Sequence, residues 1–144
     1  MDLNIELLPW QQDVWADDTR FKIVAAGRRT GKSRLAAWML IVNALQAGLK
    51  ERGFDLGETN SCVTPVYMKG SVPEAQALVY DMRENHNVFC SIVVPPVIPQ
   101  GMILLRLIPT ASHTLEDVQI TLEAFSAVAV RLKAGDYKVE AANF

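Results

Sequence analysis

Apolar residues along this chain recur with two different periods, and the alternation between them marks out its elements. Residues 21–25 (Phe-Lys-Ile-Val-Ala) form a short apolar run that predicts a strand. A glycine-rich turn follows, and the pattern from about Lys32 to Ala47 predicts an apolar helix. Gly48, Gly53 and Gly57 punctuate the next stretch as a helix end and a loop. Residues 62–68 (Cys-Val-Thr-Pro-Val-Tyr-Met) predict a strand at a sheet edge, because Pro65 lacks the N–H that a central ladder requires. Ser71-Val-Pro-Glu74 has capping-box spacing with proline in the first turn, and opens a helix to about His86 with Ala75, Leu78, Val79 and Met82 on one face. Residues 88–94 and 102–108 predict two further strands, joined by the proline-rich turn between them. Thr114 then caps a long helix that carries Glu116 and Asp117 where the helix dipole favours acids. Leu115, Val118, Leu122, Phe125, Ala129 and Leu132 keep helical spacing along it, and Gly135 ends it.

From residue 60 onward the order is strand, helix, strand, strand, helix. That order predicts an α/β chain whose C-terminal domain is a two-layer α+β unit, a small mainly antiparallel sheet with helices on one face. The division expected is residues 1–47, a strand, turn and helix, and residues 48–144. A fragment of about 45 residues is too small to hold a core unaided, so the first part is expected to dock loosely and the 60–135 unit to be well packed.

Composition narrows the function classes only slightly. Of 144 residues, 50% are hydrophobic and 21% charged, which is a globular balance. A formal net charge of −2 offers no whole-chain argument for nucleic acid or an anionic membrane. Cys62 and Cys90 have no metal-ligand spacing and sit in apolar runs, so they read as reduced core residues. The longest apolar run, Leu35 to Val42, is far short of the roughly 20 residues a spanning helix needs. No basic region followed by an apolar stretch opens the chain, so a cytoplasmic, soluble protein with no membrane partner is expected.

The one local excess of charge is basic: Arg28, Arg29, Lys32 and Arg34. It coincides with Ala26-Gly-Arg-Arg-Thr-Gly-Lys-Ser33 between the predicted strand and helix. That is the context of a phosphate-binding loop, in which backbone N–H groups and a helix N-terminus surround phosphates. Gly31, Lys32 and Ser33 match the pattern, while Ala26 replaces its first glycine. The segment resembles the N-terminal ATPase region of phage terminase large subunits, whose Pro-x-Gln element is matched by Leu8-Pro9-Trp10-Gln11. The resemblance implies Gln11 for adenine, Lys32 for phosphate, Ser33 for magnesium, and Arg28, Arg29, Thr30 and Gly31 along the phosphates. ATP with magnesium would be the cofactor and phage DNA the partner. Phosphoryl transfer also needs an acidic residue on a second strand. Ala77-Leu-Val-Tyr-Asp81 is the nearest imitation, but it fits the capped helix better, and hydrolysis is not expected.

The second chemical candidate is Arg106, which interrupts the apolar strand 102–108. From spacing, Met102, Leu104 and Ile108 point one way and Ile103, Leu105 and Leu107 the other. An arginine in a strand buried on both faces needs a carboxylate or phosphate partner. The plainer alternative is that its stem packs while its head reaches solvent.

The surrounding stretches are Gly48-Leu-Lys-Glu-Arg-Gly-Phe-Asp-Leu-Gly57, Thr64-Pro-Val-Tyr67, Val88 to Val94, and Gly101-Met-Ile-Leu-Leu-Arg-Leu-Ile-Pro-Thr-Ala-Ser-His-Thr114. Together they resemble the C-terminal domain of α-oxoamine synthases, pyridoxal-phosphate enzymes that condense an amino acid with an acyl-CoA. The resemblance implies that Arg106 binds the amino-acid carboxylate, with Thr110 beside it and His113 at the helix entry. Pro95 stands in place of a usual aromatic residue, Gln100 in place of a common lysine and Asn87 in place of glycine. Asparagine tolerates the left-handed backbone such a glycine adopts.

The Schiff-base lysine, the phosphate turn and the aspartate on the pyridinium belong to the large domain in that family, which no segment here resembles. The chain therefore reads as two family fragments joined inside a helix near residues 43–49, with no catalytic residue assigned. Pyridoxal phosphate is not expected to bind it alone. Three readings stand beside this one: a true nucleotide-binding protein, a component that acts only beside a large-domain partner, and a domain that retains weak carboxylate binding. Either parentage allows a homo-oligomer.

Overall fold

The structure, a computed structural model, describes residues 8–18, 32–59 and 61–141, without the side chains of Lys32 and residues 139–141. Its elements are α1 (Pro9–Ala16), α2 (Lys32–Glu51), β1 (Thr64–Lys69), α3 (Val72–His86), β2 (Ser91–Val93), β3 (Met102–Leu107), α4 (Leu115–Ala134) and α5 (Asp136–Ala141). The expected strand 21–25 and the turn from Ala26 to Gly31, with Arg28, Arg29 and Thr30, lie outside the described residues.

Local chemistry explains the helix ends. Ser71 Oγ accepts the Glu74 amide at 3.4 Å while Glu74 Oε2 accepts the Ser71 amide at 2.8 Å. This reciprocal pair satisfies two of the N–H groups a helix start leaves open. Thr114 and Asp117 repeat the device at α4, at 3.2 and 2.7 Å. The Thr114 backbone and hydroxyl hydrogen bonds hold the Asp117 carboxyl below its ordinary range. At the other ends, α3 stops at Asn87 with φ 55° and α4 at Gly135 with φ 85°, both left-handed.

The sheet has the order β1-β3-β2, with β3 antiparallel to both neighbours. Pro65 therefore lies on an edge strand, where its missing N–H is harmless. Val66 pairs with Leu105, and these residues with Ile103 and Leu107 face the helices in a core that includes Leu78, Met82, Leu122 and Phe125. The opposite face carries Pro65, Tyr67, Ser91, Val93, Met102, Leu104 and Arg106, since register partners share a face. That face is not buried as the apolar run suggested. Leu104 is buried and Met102 half-buried, whereas Arg106 and Ile108 are exposed, so cover diminishes toward the C-terminal end of β3. Leu115 also departs from expectation: at the first position of α4 it is 56% exposed.

The part of α2 before residue 48 is not loosely docked. The helix runs without a break from Lys32 to Glu51, and Ile41, Leu45 and Leu49 belong to the same core as the sheet. Gly48 explains how α2 approaches α4, because a Cβ there would stand 2.5 Å from Leu122 Cδ1. Leu122 is itself buried and has little room to retreat. Gly48→Val is therefore expected to cost about 2 kcal/mol through overpacking, seen as a lower urea midpoint at unchanged slope. An unchanged midpoint would show that the two helices are not in contact there.

A smaller cluster joins α1 to α2: Leu35, Trp38 and Val42 pack with Trp10, Val14 and Trp15, and with Cys62 and Ala111. The Trp15 and Trp38 rings lie 5.1 Å apart between centroids. At the far end, α5 buries Tyr137, whose hydroxyl donates to Asp81 Oδ2 at 2.5 Å. Arg131 and Asn85 also donate to the Asp81 carboxylate, at 2.5 and 2.6 Å. Asp81 thus sits in α3 as a structural acceptor. Burial pushes its carboxyl upward, but the hydrogen bonds from Tyr137, Asn85 and Arg131 outweigh that and hold it below its ordinary range.

Both cysteines are free thiols. Cys90 is buried, which raises it to about 11, and Cys62 is half-buried. Among the described residues, no helix is long and apolar enough to cross a membrane.

Candidate functional site

Arg106 stands on the central strand, directly across from Pro65 on one side and Ser91 on the other. Its neighbours along the same face, Leu104 and Met102, are apolar, and its own side chain is exposed. The Arg106 Nε–H donates to Ser91 Oγ at 3.2 Å. Among the described residues, no carboxylate forms an ion pair with it. The geometry is the plainer of the two expected from sequence: packed stem, head in solvent. The bond to Ser91 uses Nε alone, and the terminal nitrogens of an exposed guanidinium match a carboxylate bidentately.

Sequence reading did not single out Ser91. It is 15 residues from Arg106 and only strand register brings the two together. Its hydroxyl accepts the Arg106 Nε–H, and such a bond favours one guanidinium orientation and so reduces the entropy lost when a ligand pairs with the fork.

Thr110 lies where the chain leaves β3 and turns toward α4. Its amide donates to His113 Nδ1 at 2.9 Å, and its hydroxyl lies 2.7 Å from Ser112 Oγ and 2.9 Å from His113 Nδ1. His113 thus closes the turn immediately before the Thr114 cap, a place at the helix entry. A cavity of about 490 Å³ opens at this end of β3, between Ile41 and Leu45 of α2, Phe89, Pro109, and Val118 of α4. Thr110 and His113 contribute to its wall, and Arg106 does not. Of the two residues assigned to substrate, Thr110 alone lines this cavity.

The nucleotide candidates are not assembled by the described residues. Gln11 is buried, and its side-chain oxygen accepts the Leu8 amide at 2.9 Å, capping α1. The oxygen is therefore engaged within its own helix. Ser33 is exposed in the first turn of α2, and Lys32 opens that helix with its side chain outside the described set. Arg28, Arg29, Thr30 and Gly31 lie outside the described residues altogether. Among the described residues, no group of three or more histidines, cysteines or acids is placed to hold a metal ion.

Comparison with known proteins bears on the C-terminal part. No protein-family model matches the chain. A cysteate-C-fatty acyltransferase of Capnocytophaga ochracea is 64% identical over 97 residues, which cover 67% of this chain and 23% of that protein. An 8-amino-7-oxononanoate synthase of Exiguobacterium sibiricum is 35% identical over 86 residues, covering 60% of this chain and 22% of the synthase. Among solved structures, a serine palmitoyltransferase of Sphingomonas wittichii superposes with a TM-score of 0.65 at 25% identity, over 73% of this chain and 26% of that one. The chain thus spans less than a quarter of the length of these two curated relatives. The terminase-like reading of residues 1–47, with ATP and magnesium at its loop, gains no support from these matches. The C-terminal part of this chain is homologous to the α-oxoamine synthase family, in company with cysteate acyltransferase, 8-amino-7-oxononanoate synthase and serine palmitoyltransferase.

Proposed function

We propose that this chain carries the amino-acid carboxylate site of a pyridoxal-phosphate-dependent acyltransferase, with Arg106 as the residue that holds the carboxylate. The observation that carries the reading is the exposed guanidinium of Arg106 on a largely apolar stretch of β3, hydrogen-bonded by Ser91 and without an acidic partner among the described residues. Such a group binds a carboxylate through two parallel N–H···O bonds and fixes the position of the amino acid's Cα. The 64% identity to a cysteate-C-fatty acyltransferase favours cysteate as the amino acid and a fatty acyl thioester as the other substrate.

Pyridoxal phosphate is bound by a related serine palmitoyltransferase. The described residues of this chain do not fit it. Lys50, Lys69, Lys133 and Lys138 are all exposed, and none lines the cavity beside Thr110. Lys69 is on the face of Arg106 but at the opposite end of the sheet, across from Met102. The role assigned here is therefore substrate positioning, and turnover belongs to an assembly that includes cofactor-binding polypeptide. The division of the chain into a 1–47 segment and a 48–144 synthase-like unit belongs to the same proposal.

A titration tests it. L-Cysteate added to the purified chain is expected to shift the Arg106 Nε–H resonance saturably, and Arg106→Ala is expected to weaken binding at least about tenfold, as loss of a charge-assisted hydrogen-bond pair does. Cysteate binding that survives Arg106→Ala would assign the carboxylate to another group.

A further inference from the structure

The loop that carries Thr110 is held by a residue from outside the stretch that resembles the synthases. Trp38, in the first half of α2, donates its indole N–H to the Pro109 carbonyl at 2.8 Å, across 71 residues of sequence. The bond is buried, and Trp38 is 4% exposed. Around it, Trp10, Val14 and Trp15 from α1 pack against Leu35 and Val42, and Ala111, two residues beyond Pro109, joins the same cluster. Proline at 109 supplies no N–H, so its carbonyl is the only main-chain hydrogen-bonding group with which this residue can anchor the loop.

Two anchors therefore fix the short path from Arg106 to Thr110. At one end the β-ladder holds Arg106 against Pro65 and Ser91. At the other, the Trp38 indole holds Pro109, and the next residue, Thr110, turns its amide to His113. Ile108, between the two anchors, is 55% exposed and adds little packing of its own. Without the indole N–H, the buried Pro109 carbonyl loses its partner and the loop is free to move toward water, because an unsatisfied buried acceptor is unstable where it stands.

We propose that Trp38 is a positioning residue, setting the place of Thr110 relative to Arg106 by holding the Pro109 carbonyl. The helical pair α1–α2 is then a brace on the substrate loop, and the part of the chain before residue 48 bears on carboxylate recognition without touching the ligand. The functional half of this inference rests on the carboxylate reading of Arg106; the structural half stands without it.

The test separates the two halves. Trp38→Phe keeps most of the ring and removes the donor, and Trp10→Phe serves as a control that thins the same cluster and leaves the Trp38 donor in place. In ligand-free protein, Trp38→Phe is expected to shift the Thr110 and Ala111 amide resonances and speed hydrogen exchange at the Thr110 amide. The amides of Val66 and Leu105 in the sheet should stay unchanged. L-Cysteate affinity is expected to fall about threefold to tenfold, the range that loss of one ordinary hydrogen bond produces. Trp10→Phe is expected to leave both readouts near wild type.

Equal effects from the two variants would reduce Trp38 to packing and overturn the proposal, as would an unchanged Thr110 amide in Trp38→Phe. An altered Thr110 amide with unchanged cysteate affinity would overturn its functional half. Wild-type protein that fails to bind cysteate would defeat the carboxylate reading and the functional half with it, leaving the Thr110 exchange to judge the brace.

Discussion

Asp81→Ala is expected to lower the unfolding free energy by about 3 kcal/mol, because it leaves Arg131, Tyr137 and Asn85 aimed at an empty acceptor site. The value is kept at the low end of the range for a broken buried pair because the Arg131 side chain is 34% exposed and its charge is partly screened. The network reaches across three helices: Asp81 and Asn85 from α3, Arg131 from α4 and Tyr137 from α5. Its loss should release α5 first, and Tyr137 fluorescence is expected to report that release at a lower urea concentration than the helical signal. A wild-type midpoint in Asp81→Ala would show that the carboxylate contributes no net stability.

The same residue gives stability a pH dependence of definite sign. Its folded-state pKa is lowered by hydrogen bonds from Tyr137, Asn85 and Arg131 that outweigh burial. In the unfolded chain an aspartate titrates near about 4. As pH falls through that value the unfolded state takes up a proton before the folded state does, so the Asp81 contribution is intact above about pH 5 and is lost toward the lower folded-state value. Wild-type stability is therefore expected to fall more steeply than that of Asp81→Asn below about pH 4. Parallel profiles would remove Asp81 as the source.

Phe125→Ala carries the other large effect, about 4 kcal/mol, since the site combines lost transfer free energy with a cavity the surroundings cannot close. Phe125 is fully buried in α4 and meets the Phe54 ring edge-on, with centroids 5.5 Å apart at 86°. Its neighbours in the core come from α2, α3 and β3 as well as α4. A thermal midpoint lower by on the order of 10 °C is expected, with Phe125→Leu losing less than half as much. If Ala and Leu at this position were equally tolerated, the layers would not be in close contact there.

How much of the fold was legible depends on how far apart the interacting residues are. Helices α3 and α4 were readable to within a residue because their starts are decided within four positions, by Ser71 with Glu74 and by Thr114 with Asp117. Strand β3 was readable from its apolar run, and Pro65 alone placed β1 on an edge. Helix α1 was not assigned: its eight residues give barely two turns in which a period can register, and Pro9 at its first position was the available signal. Helix α5 was missed because Gly135, a sound stop for α4, also precedes a six-residue helix too short for its period to register. The buried-on-both-faces reading of β3 failed because an apolar run records composition and cannot record what lies over it.

The candidate site divides in the same way. Arg106 was legible as a charge that interrupts an apolar strand, and its carboxylate role belongs to the proposal. Ser91, Trp38 and the Asp81 network were not, since their partners lie 15, 71 and up to 56 residues away. Sequence by itself determined the order of elements from residue 60 to Gly135, the caps of α3 and α4, and the place of one arginine in an apolar strand, because each is settled by neighbours within a turn or by side-chain type. Only the tertiary structure decided that Ser91 orients Arg106, that α2 is welded to the core across residue 48, and that Trp38 holds the Thr110 loop. Those contacts exist only after chain segments far apart have closed on one another, and the pairings that result depend on register and crossing geometry that no local pattern encodes.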